Sequence, residues 1–258
     1  MSQFEEVLPS QVEGQANFDM IEESRATQER RERAHRILDA ASMLILRWGY
    51  NKTTIDDIAK QAGVGKGTIY LHWKTREELF RMLLKREQLE MSEELQQMIA
   101  ADPAGAMLGN MLKHSALALI HRPLIKAYLL RDMEILGKLV QREQNNPVYI
   151  SKLEGLKGYL DFLRAYGLVR NDLSVQEQLY TLSAIMMGFF LIAPLMPGEY
   201  ALSDERLAEL VGDAVHRALE PEHTVPLEQM EEASRNFLGY MQQVTALLRQ
   251  EFQQNLDA

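Results

Sequence analysis

One stretch decides the fold of this chain, TTIDDIAKQAGVGKGTIYLHWK, which runs from Thr53 to Lys74. Thr54 is a favourable helix N-cap and Asp57 stands three residues later, so the pair predicts a capping box that opens a short helix over residues 55–61. Gly63 lies in a tight turn where it can adopt a positive φ angle. A second short helix is predicted over residues 66–72. Two short helices joined by such a turn are typical of a helix-turn-helix, whose second helix enters the DNA major groove.

The flanking sequence predicts helices on both sides of this motif. Apolar residues recur at three- and four-residue steps over residues 29–48, a period typical of an amphipathic helix. Thr75 with Glu78 predicts another capping box, which opens a helix that runs to about residue 100. Further helices are predicted over residues 104–120, 123–140, 147–166, 174–193, 203–219 and 226–256.

These segments contain no alternating strand pattern, so the sequence predicts an all-α fold. We expect an N-terminal three-helix bundle that contains the helix-turn-helix, followed by a larger helical domain. The last predicted helix, 226–256, has an apolar stripe that must be buried against another surface.

The charge of the chain is divided among three segments. Residues 1–28 carry one basic and six acidic residues, residues 29–86 carry 13 and seven, and residues 87–258 carry 14 and 24. The segment charges are therefore −5, +6 and −10, within a formal net charge of −9. An acidic chain is poorly suited to coating nucleic acid, but its basic segment can bind phosphates. We predict a mobile acidic extension over 1–28, a DNA-binding domain over 29–86 and a larger domain over 87–258.

Several classes of site are excluded or unsupported by the composition. The chain has no cysteine, which excludes disulfides, thiolate metal sites and cysteine nucleophiles and fits a reducing cytoplasm. His114 and His121 are seven residues apart, too far along one helix to share a metal ion unaided. No Gly-rich phosphate loop, His-Glu metal motif or catalytic triad order is present. We therefore expect no metal, no cofactor and no enzymatic activity.

An uncharged run between Glu177 and Glu199 is long enough to be compared with a membrane span. It begins with polar residues and ends with Pro194 and Pro197, so we expect a helix buried in a core or in a subunit interface and no membrane association.

The outward-facing residues of the motif have the chemistry that DNA contacts require. Thr54 places a hydroxyl at a helix N-terminus, where a phosphate can bind, and the second helix offers further donors to phosphates and bases. The predicted DNA-binding residues are Thr54, Lys66, Gly67, Thr68, Tyr70, Leu71, His72 and Lys74.

The segment from Arg33 to Leu79 resembles the DNA-binding domain of the TetR family of bacterial transcriptional regulators. The resemblance rests on ILDAA at 37–41, GY at 49–50, TTIDDIA at 53–59, AGV at 62–64, GTIYLHWK at 67–74 and REEL at 76–79. It implies that Thr54, Tyr70, His72 and Lys74 contact phosphates, and that Lys66, Thr68 and Leu71 face bases or backbone.

Four positions depart from the family pattern, and at one of them Arg76 replaces a lysine and keeps the charge. Gly65 stands where a serine usually caps the second helix, so that phosphate contact is lost at a cost of a few tenths of a kcal/mol. Trp73 replaces a phenylalanine in an apolar site. Leu71 replaces a common tyrosine, so readout there would be apolar, for instance against a thymine methyl group.

The resemblance also implies that residues 87–258 sense a ligand and form a homodimer. An apolar effector would bind among helices 104–166, where Met and aromatic side chains can line a pocket; the candidates are Met107, Met111, His114, Tyr128, Met133, Tyr159, Phe162 and Tyr166. The dimer interface would use the two helices 174–193 and 203–219; the candidates are Leu182, Ile185, Met186, Phe189, Leu207, Val211 and Val215.

The resulting hypothesis is a ligand-responsive repressor that is released from a near-palindromic double-stranded DNA operator by a small-molecule effector. One alternative is a helical small-molecule-binding protein or enzyme without operator-specific DNA binding. Another is an architectural DNA-binding protein without an effector.

Overall fold

A computed structural model of the chain describes residues 9–136, 147–222 and 225–257, without the side chains of residues 9–24, 133, 147–153 and 257. Within these ranges the regular structure is entirely helical, which confirms the predicted all-α class. The helices are α1 (Pro9–Trp48), α2 (Ile55–Ala62), α3 (Lys66–His72), α4 (Arg76–Ala101), α5 (Leu108–Ile120), α6 (Pro123–Leu129), α7 (Met133–Leu136), α8 (Pro147–Ala165), α9 (Val175–Ile192), α10 (Asp204–Leu219) and α11 (Leu227–Asp257). Short 3₁₀ turns lie at Ala193–Leu195 and Gly198–Tyr200.

Two predicted helix boundaries were wrong. Helix α1 begins at Pro9 and not at residue 29, so residues 9–28 of the acidic extension are helical. Pairs four residues apart support this continuation, since Arg25 Nε lies 3.3 Å from Glu29 Oε1. The helix predicted over 123–140 ends at Leu129, because Arg131 adopts a left-handed φ of 53° and breaks it. Residues 1–8 and 137–140 of these predictions lie outside the described residues.

The N-terminal helices, which the sequence predicts to bind DNA, form a bundle with its own apolar core, the DNA-binding core. Ile37, Leu38, Ile58 and Ile69 are fully buried, and they bring α1, α2 and α3 together as the periodicity predicts. Burial of such side chains is the main favourable term in forming the bundle. The bundle therefore fixes which face of α3 remains outside.

The larger core is organised around the crossing of α5 and α10. The backbones approach so closely at Gly109 and Gly212 that a Cβ atom on either residue would lie 2.9 Å from the carbonyl oxygen of the other. Only glycine fits at such a crossing. Around it, side chains of α8 and α9, among them Leu160 and Leu182, complete the core.

Helix α11 joins the two cores. Near its start Ala233 and Phe237 are buried in the larger core, and near its end Phe252 and Leu256 are buried in the DNA-binding core. Between them it lies along α4, where the hydroxyls of Thr245 and Ser92 are 2.8 Å apart. The apolar stripe predicted for this helix is thus buried on its own chain, and against both domains.

Helix α9 leaves much of its apolar surface uncovered. The segment Val175–Leu195 is long and apolar enough to cross a membrane by length and composition alone, yet only 17% of its apolar window is buried inside the described chain. Leu191 and Leu195 are 52% and 74% exposed. A helix buried in the core of a single chain does not match this exposure, and the subunit interface stays a prediction.

Candidate nucleic-acid interface and cavities

The N-terminus of α2 is built by the predicted capping box. The Asp57 backbone N–H donates to Thr54 Oγ1 at 3.2 Å, and the Thr54 N–H donates to Asp57 Oδ2 at 3.1 Å. The Thr54 hydroxyl also donates to that carboxylate at 2.6 Å. These hydrogen bonds hold the pKa of Asp57 below its ordinary value. Since Thr54 is exposed at a helix N-terminus, its hydroxyl can turn toward a phosphate, but it must first exchange its hydrogen bond to Asp57.

The turn between α2 and α3 depends on one left-handed residue. Gly63 has a φ of 66° and ends α2, and the next N–H, of Val64, donates to Ala59 O at 3.0 Å. Gly65 begins α3 without a side-chain cap, as its identity predicts. The turn therefore joins the two helices without a side-chain cap on α3.

Helix α3 presents almost all of its side chains to solvent. Ile69 is its one buried residue. Leu71 is 70% exposed and Tyr70 is 39% exposed, although both are large and apolar in part. Since exposed large side chains on a basic helix are costly unless they have a partner, this face has the character of a binding surface.

Two of the predicted cationic contacts are already engaged with groups on the same surface. Lys66 Nζ forms an exposed ion pair with Asp56 Oδ2 at 2.7 Å. Lys74 Nζ lies 3.5 Å from the Tyr70 carbonyl oxygen. Both ammonium groups lie at the solvent boundary, so a phosphate can replace these weak interactions.

His72 joins this surface to the basic part of α1. Its ring lies 5.2 Å from the Trp73 ring. Burial lowers the pKa of His72, and the charges of Arg30 and Arg33 lower it further. The positive charges of Arg30 and Arg33 on α1 therefore act on the end of α3.

Arg76, conspicuous in the sequence as a cation, has a structural role. Its guanidinium donates to Thr53 O at 3.1 Å and lies 4.2 Å above the Tyr50 ring. Such a cation–π contact fixes α4 against the start of α2. The capping box predicted at Thr75 is only half formed, because the Glu78 carboxylate accepts from the Lys74 N–H instead of the Thr75 N–H.

The predicted ligand-pocket residues do not form one cavity. His114 Nε2 lies 2.9 Å from Asp102 Oδ2 at the corner between α4 and α5, and Met111 is packed in the larger core. Tyr128 packs in a small separate cluster beside α7. The side chain of Met133 lies outside the described residues. His114, Met111 and Tyr128 line neither of the two cavities described next, and their role in a ligand pocket stays a prediction.

The described part of the larger domain contains a cleft and a shallower depression. A cleft of about 320 Å³ lies between α8 and α11 and is lined in part by Tyr159 and Phe162; the Tyr166 ring lies 4.8 Å from the Phe162 ring, tilted by 44°. A wider and more polar depression of about 540 Å³ lies over the crossing of α5 and α10 and includes Met107. The cleft also uses Phe237 and Tyr240, which were not predicted from the sequence because they come from the last helix.

Three of the six histidines pair with a carboxylate. Besides His114, His121 Nδ1 lies 2.5 Å from Glu94 Oε1 and His216 Nδ1 lies 2.7 Å from Glu220 Oε2. Within the described ranges, no cluster of three or more His, Asp or Glu side chains has a geometry suited to a metal ion.

The predicted dimer residues fall into two groups. Leu182, Val211 and Val215 are fully buried within the chain itself, so a partner cannot contact them, and that part of the prediction was wrong. Ile185, Met186, Phe189 and Leu207 are only partly buried. The exposed apolar residues lie on the other side of α9 and just after it, and include Tyr180, Leu191 and Leu195. The helical period alone could not tell which side of this uncharged, largely apolar run faces its own core.

Comparisons with known proteins agree with this architecture. The sequence profile described as "Bacterial regulatory proteins, tetR family" matches residues 37–83. The chain is 32% identical over 140 residues to the fatty acid metabolism regulator protein of Bacillus subtilis (strain 168), an alignment that covers 52% of this chain and 66% of that protein. It is also 32% identical over 127 residues to the HTH-type transcriptional regulator AcrR of Shigella flexneri, covering 46% and 59% of the two chains. The chain thus matches about two thirds or less of the length of these relatives.

The fold is similar to that of a solved protein from Mesorhizobium loti MAFF303099 that is assigned to the TetR family. That structure has a TM-score of 0.53 and 18% identity, and the match covers 74% of this chain and 98% of the other. At this identity the similarity concerns the fold alone.

Proposed function

Since this chain belongs to the TetR family of bacterial regulatory proteins, we propose that it is a sequence-specific DNA-binding transcriptional regulator, a repressor that a small molecule releases from its operator. The observation that carries the proposal is the surface of α3. This seven-residue helix buries only Ile69 and exposes Lys66, Tyr70 and Leu71, and the charges of Arg30 and Arg33 on α1 act on His72. No enzymatic role is proposed, since the relatives are transcriptional regulators.

The DNA contacts follow from what each exposed group can donate. Tyr70, His72 and Lys74 would hold phosphates beside α3 and fix its position in the major groove. Thr68 and Leu71 would face base edges, with Leu71 reading a thymine methyl group. Gly67 has no side chain, so the backbone of α3 can approach the groove closely.

A homodimer would supply the second half-site contact. The exposed apolar surface of α9 and the turns after it is a self-complementary candidate, because a two-fold axis places the same patch on both subunits. Two α3 helices held in this way can reach consecutive major grooves about 34 Å apart, which requires a near-palindromic operator. The protein would act in the cytoplasm, where the chromosome is accessible.

The test begins with an operator selected from random double-stranded DNA by the purified protein. In a mobility-shift titration, we expect the Tyr70→Ala/Lys74→Ala variant to lose at least 100-fold in affinity. The slope of log binding constant against log salt concentration should also become less steep by about one for each phosphate contact that is lost. Lys157→Ala, which removes a charge from α8 of the larger domain, is the matched control and should bind like the parent protein. If the double variant keeps the parent affinity, α3 does not form the DNA contact.

A further inference from the structure

The cleft between α8 and α11 is built mainly from aromatic side chains. Tyr159 and Phe162 form one wall from α8, and Phe237 and Tyr240 form the other from α11. The Tyr159 and Phe237 rings meet at 4.3 Å at the base, where both residues are buried. Tyr240 is 49% exposed, so the cleft opens to solvent on its side. A volume of about 320 Å³ between such walls suits a flat molecule of two or three fused rings.

Two glycines of α8 leave the space that makes the cleft. A Cβ atom on Gly158 would meet no atom within 4 Å, and one on Gly155 would approach only Tyr240 Oη, at 3.9 Å. Helix packing therefore does not require glycine here, in contrast to the close crossing at Gly109 and Gly212. Since a glycine inside a helix costs about 1 kcal/mol relative to alanine, these two residues weaken α8 while keeping the cleft open.

The polar groups of the cleft favour a positive charge in the ligand. Glu154 lines the cleft and is exposed, and among the described residues no cation forms an ion pair with it. Asn236 adds an amide that can accept a hydrogen bond. The Tyr159 hydroxyl donates to Ala106 O inside the core, which holds its ring as a fixed wall. Aromatic faces attract cations, and a carboxylate at the rim adds to that attraction.

We propose that the cleft between α8 and α11 is the effector site, and that it binds a flat aromatic cation with its rings between Tyr159, Phe162 and Tyr240 and its charge toward Glu154. The effect of this ligand on operator binding rests on the proposed function. Binding of the ligand in the cleft does not.

Helix α11 gives the site a direct connection to the DNA-binding domain. Phe237 forms a wall of the cleft, and Phe252, about 22 Å further along the same helix, is buried in the DNA-binding core. Between these points Arg249 Nη2 lies 2.7 Å from Glu93 Oε1 and Lys85 Nζ lies 2.6 Å from Glu251 Oε1, both across to α4. A ligand that displaces the start of α11 therefore acts on the core beneath α3, which alters the placement of the recognition helix.

The binding test uses three probes that share a naphthalene ring and differ in charge: 1-naphthylmethylammonium, 1-naphthalenemethanol and 1-naphthoate. Titrations without DNA, followed by calorimetry, should show the ammonium compound binding at least fivefold more tightly than the carboxylate. Glu154→Gln should remove that preference while leaving the affinity for the alcohol within twofold. Equal affinities of the three probes for the parent protein would overturn the charge assignment.

The location test fills the cleft without disturbing its walls. Gly158→Leu places a side chain in the open space and raises helix propensity, so the variant should fold at least as well as the parent. We expect its affinity for the ammonium probe to fall at least tenfold. Gly239→Leu is the matched control, since Gly239 lies in α11 outside the cleft lining and a Cβ atom there would likewise meet no atom within 4 Å. Loss of binding in both variants, or in neither, places the ligand elsewhere.

A mobility shift with the same variants separates this proposal from the proposed function. The ammonium probe should weaken operator binding by the parent protein and not by Gly158→Leu, while both proteins bind the operator equally without it. Probe binding with no effect on operator affinity would overturn the regulatory part of the proposal. Absence of operator binding in every protein would instead overturn the proposed function and leave the ligand titrations to decide the site.

Discussion

Replacement of Phe252 by alanine tests whether the last helix is part of the DNA-binding domain. Phe252 is only 5% exposed, lies in the same apolar core as Ile37 and Leu83, and has its ring 5.8 Å from that of His35. The substitution removes the ring and leaves a cavity between α11, α1 and α4. The expected result is a large loss of stability in the DNA-binding domain, although the altered residue comes from the far end of the chain.

The magnitude follows from the area that the ring buries. A buried phenylalanine removes about 150–250 Å² from water, which at about 25 cal/mol/Å² corresponds to roughly 4–6 kcal/mol for the whole side chain. Alanine retains a small part of this, and measured Phe→Ala costs in cores are about 3–5 kcal/mol. With a urea m-value of about 2 kcal/mol/M, the unfolding midpoint should fall by about 1.5–2.5 M.

Tryptophan fluorescence gives a domain-specific measurement. The chain has two tryptophans, Trp48 and Trp73, and both lie in the DNA-binding domain. Leu247→Ala, at a position of the same helix that is 66% exposed, is the control and should change stability by less than about 0.5 kcal/mol. If Phe252→Ala moves the tryptophan-detected midpoint no more than this control, α11 does not stabilise the DNA-binding domain and the coupling inferred through it fails.

Three further predictions concern the DNA surface and the dimer. Thr54→Ala removes the α2 cap and should cost ~1 kcal/mol in the same fluorescence assay; an unchanged midpoint would show that the cap is dispensable. Because the pKa of His72 lies below its ordinary value, its neutral form stabilises the fold, and this contribution is lost as pH falls below about 6.5. A bound phosphate favours the charged form, so operator affinity should rise about two- to tenfold from pH 8 to pH 6, and His72→Gln should lose that dependence in mobility shifts at constant salt. Leu191→Glu with Leu195→Glu should convert a dimer to a monomer in sedimentation equilibrium, whereas Leu247→Glu should not, and a dimer that survives the double change would place the interface elsewhere.

The helix-turn-helix was predictable because its determinants are local. Thr54 with Asp57 and the left-handed Gly63 act within a few residues, and Ile58 and Ile69, which lie close to them in sequence, are both buried in the same core. Ile69 is the one buried residue of α3, and it determines which face of the helix remains outside. Local chemistry of this kind can be read from a sequence without knowledge of distant contacts.

The cleft and the exposed face of α9 were not predictable in the same way. The cleft joins residues near position 158 to residues near position 238, and no local signal pairs them. From Leu182 to Ile192 nearly every residue of α9 is apolar, so periodicity does not reveal which side meets the larger core; Leu182 is buried and Leu191 is exposed. His114 resembled a pocket residue by composition, but its partner Asp102 lies before α5, and no sequence pattern pairs the two.

The position of Phe252 and Leu256 has a consequence for how the protein folds during its synthesis. Ribosomes make the DNA-binding helices first, and the two side chains that complete their core emerge about 165 residues after Arg86. At roughly 5–20 residues per second, the nascent domain waits about 10–30 s for them. During translation the DNA-binding domain is therefore made with an incomplete core. Its core is completed only after the larger domain has been synthesised.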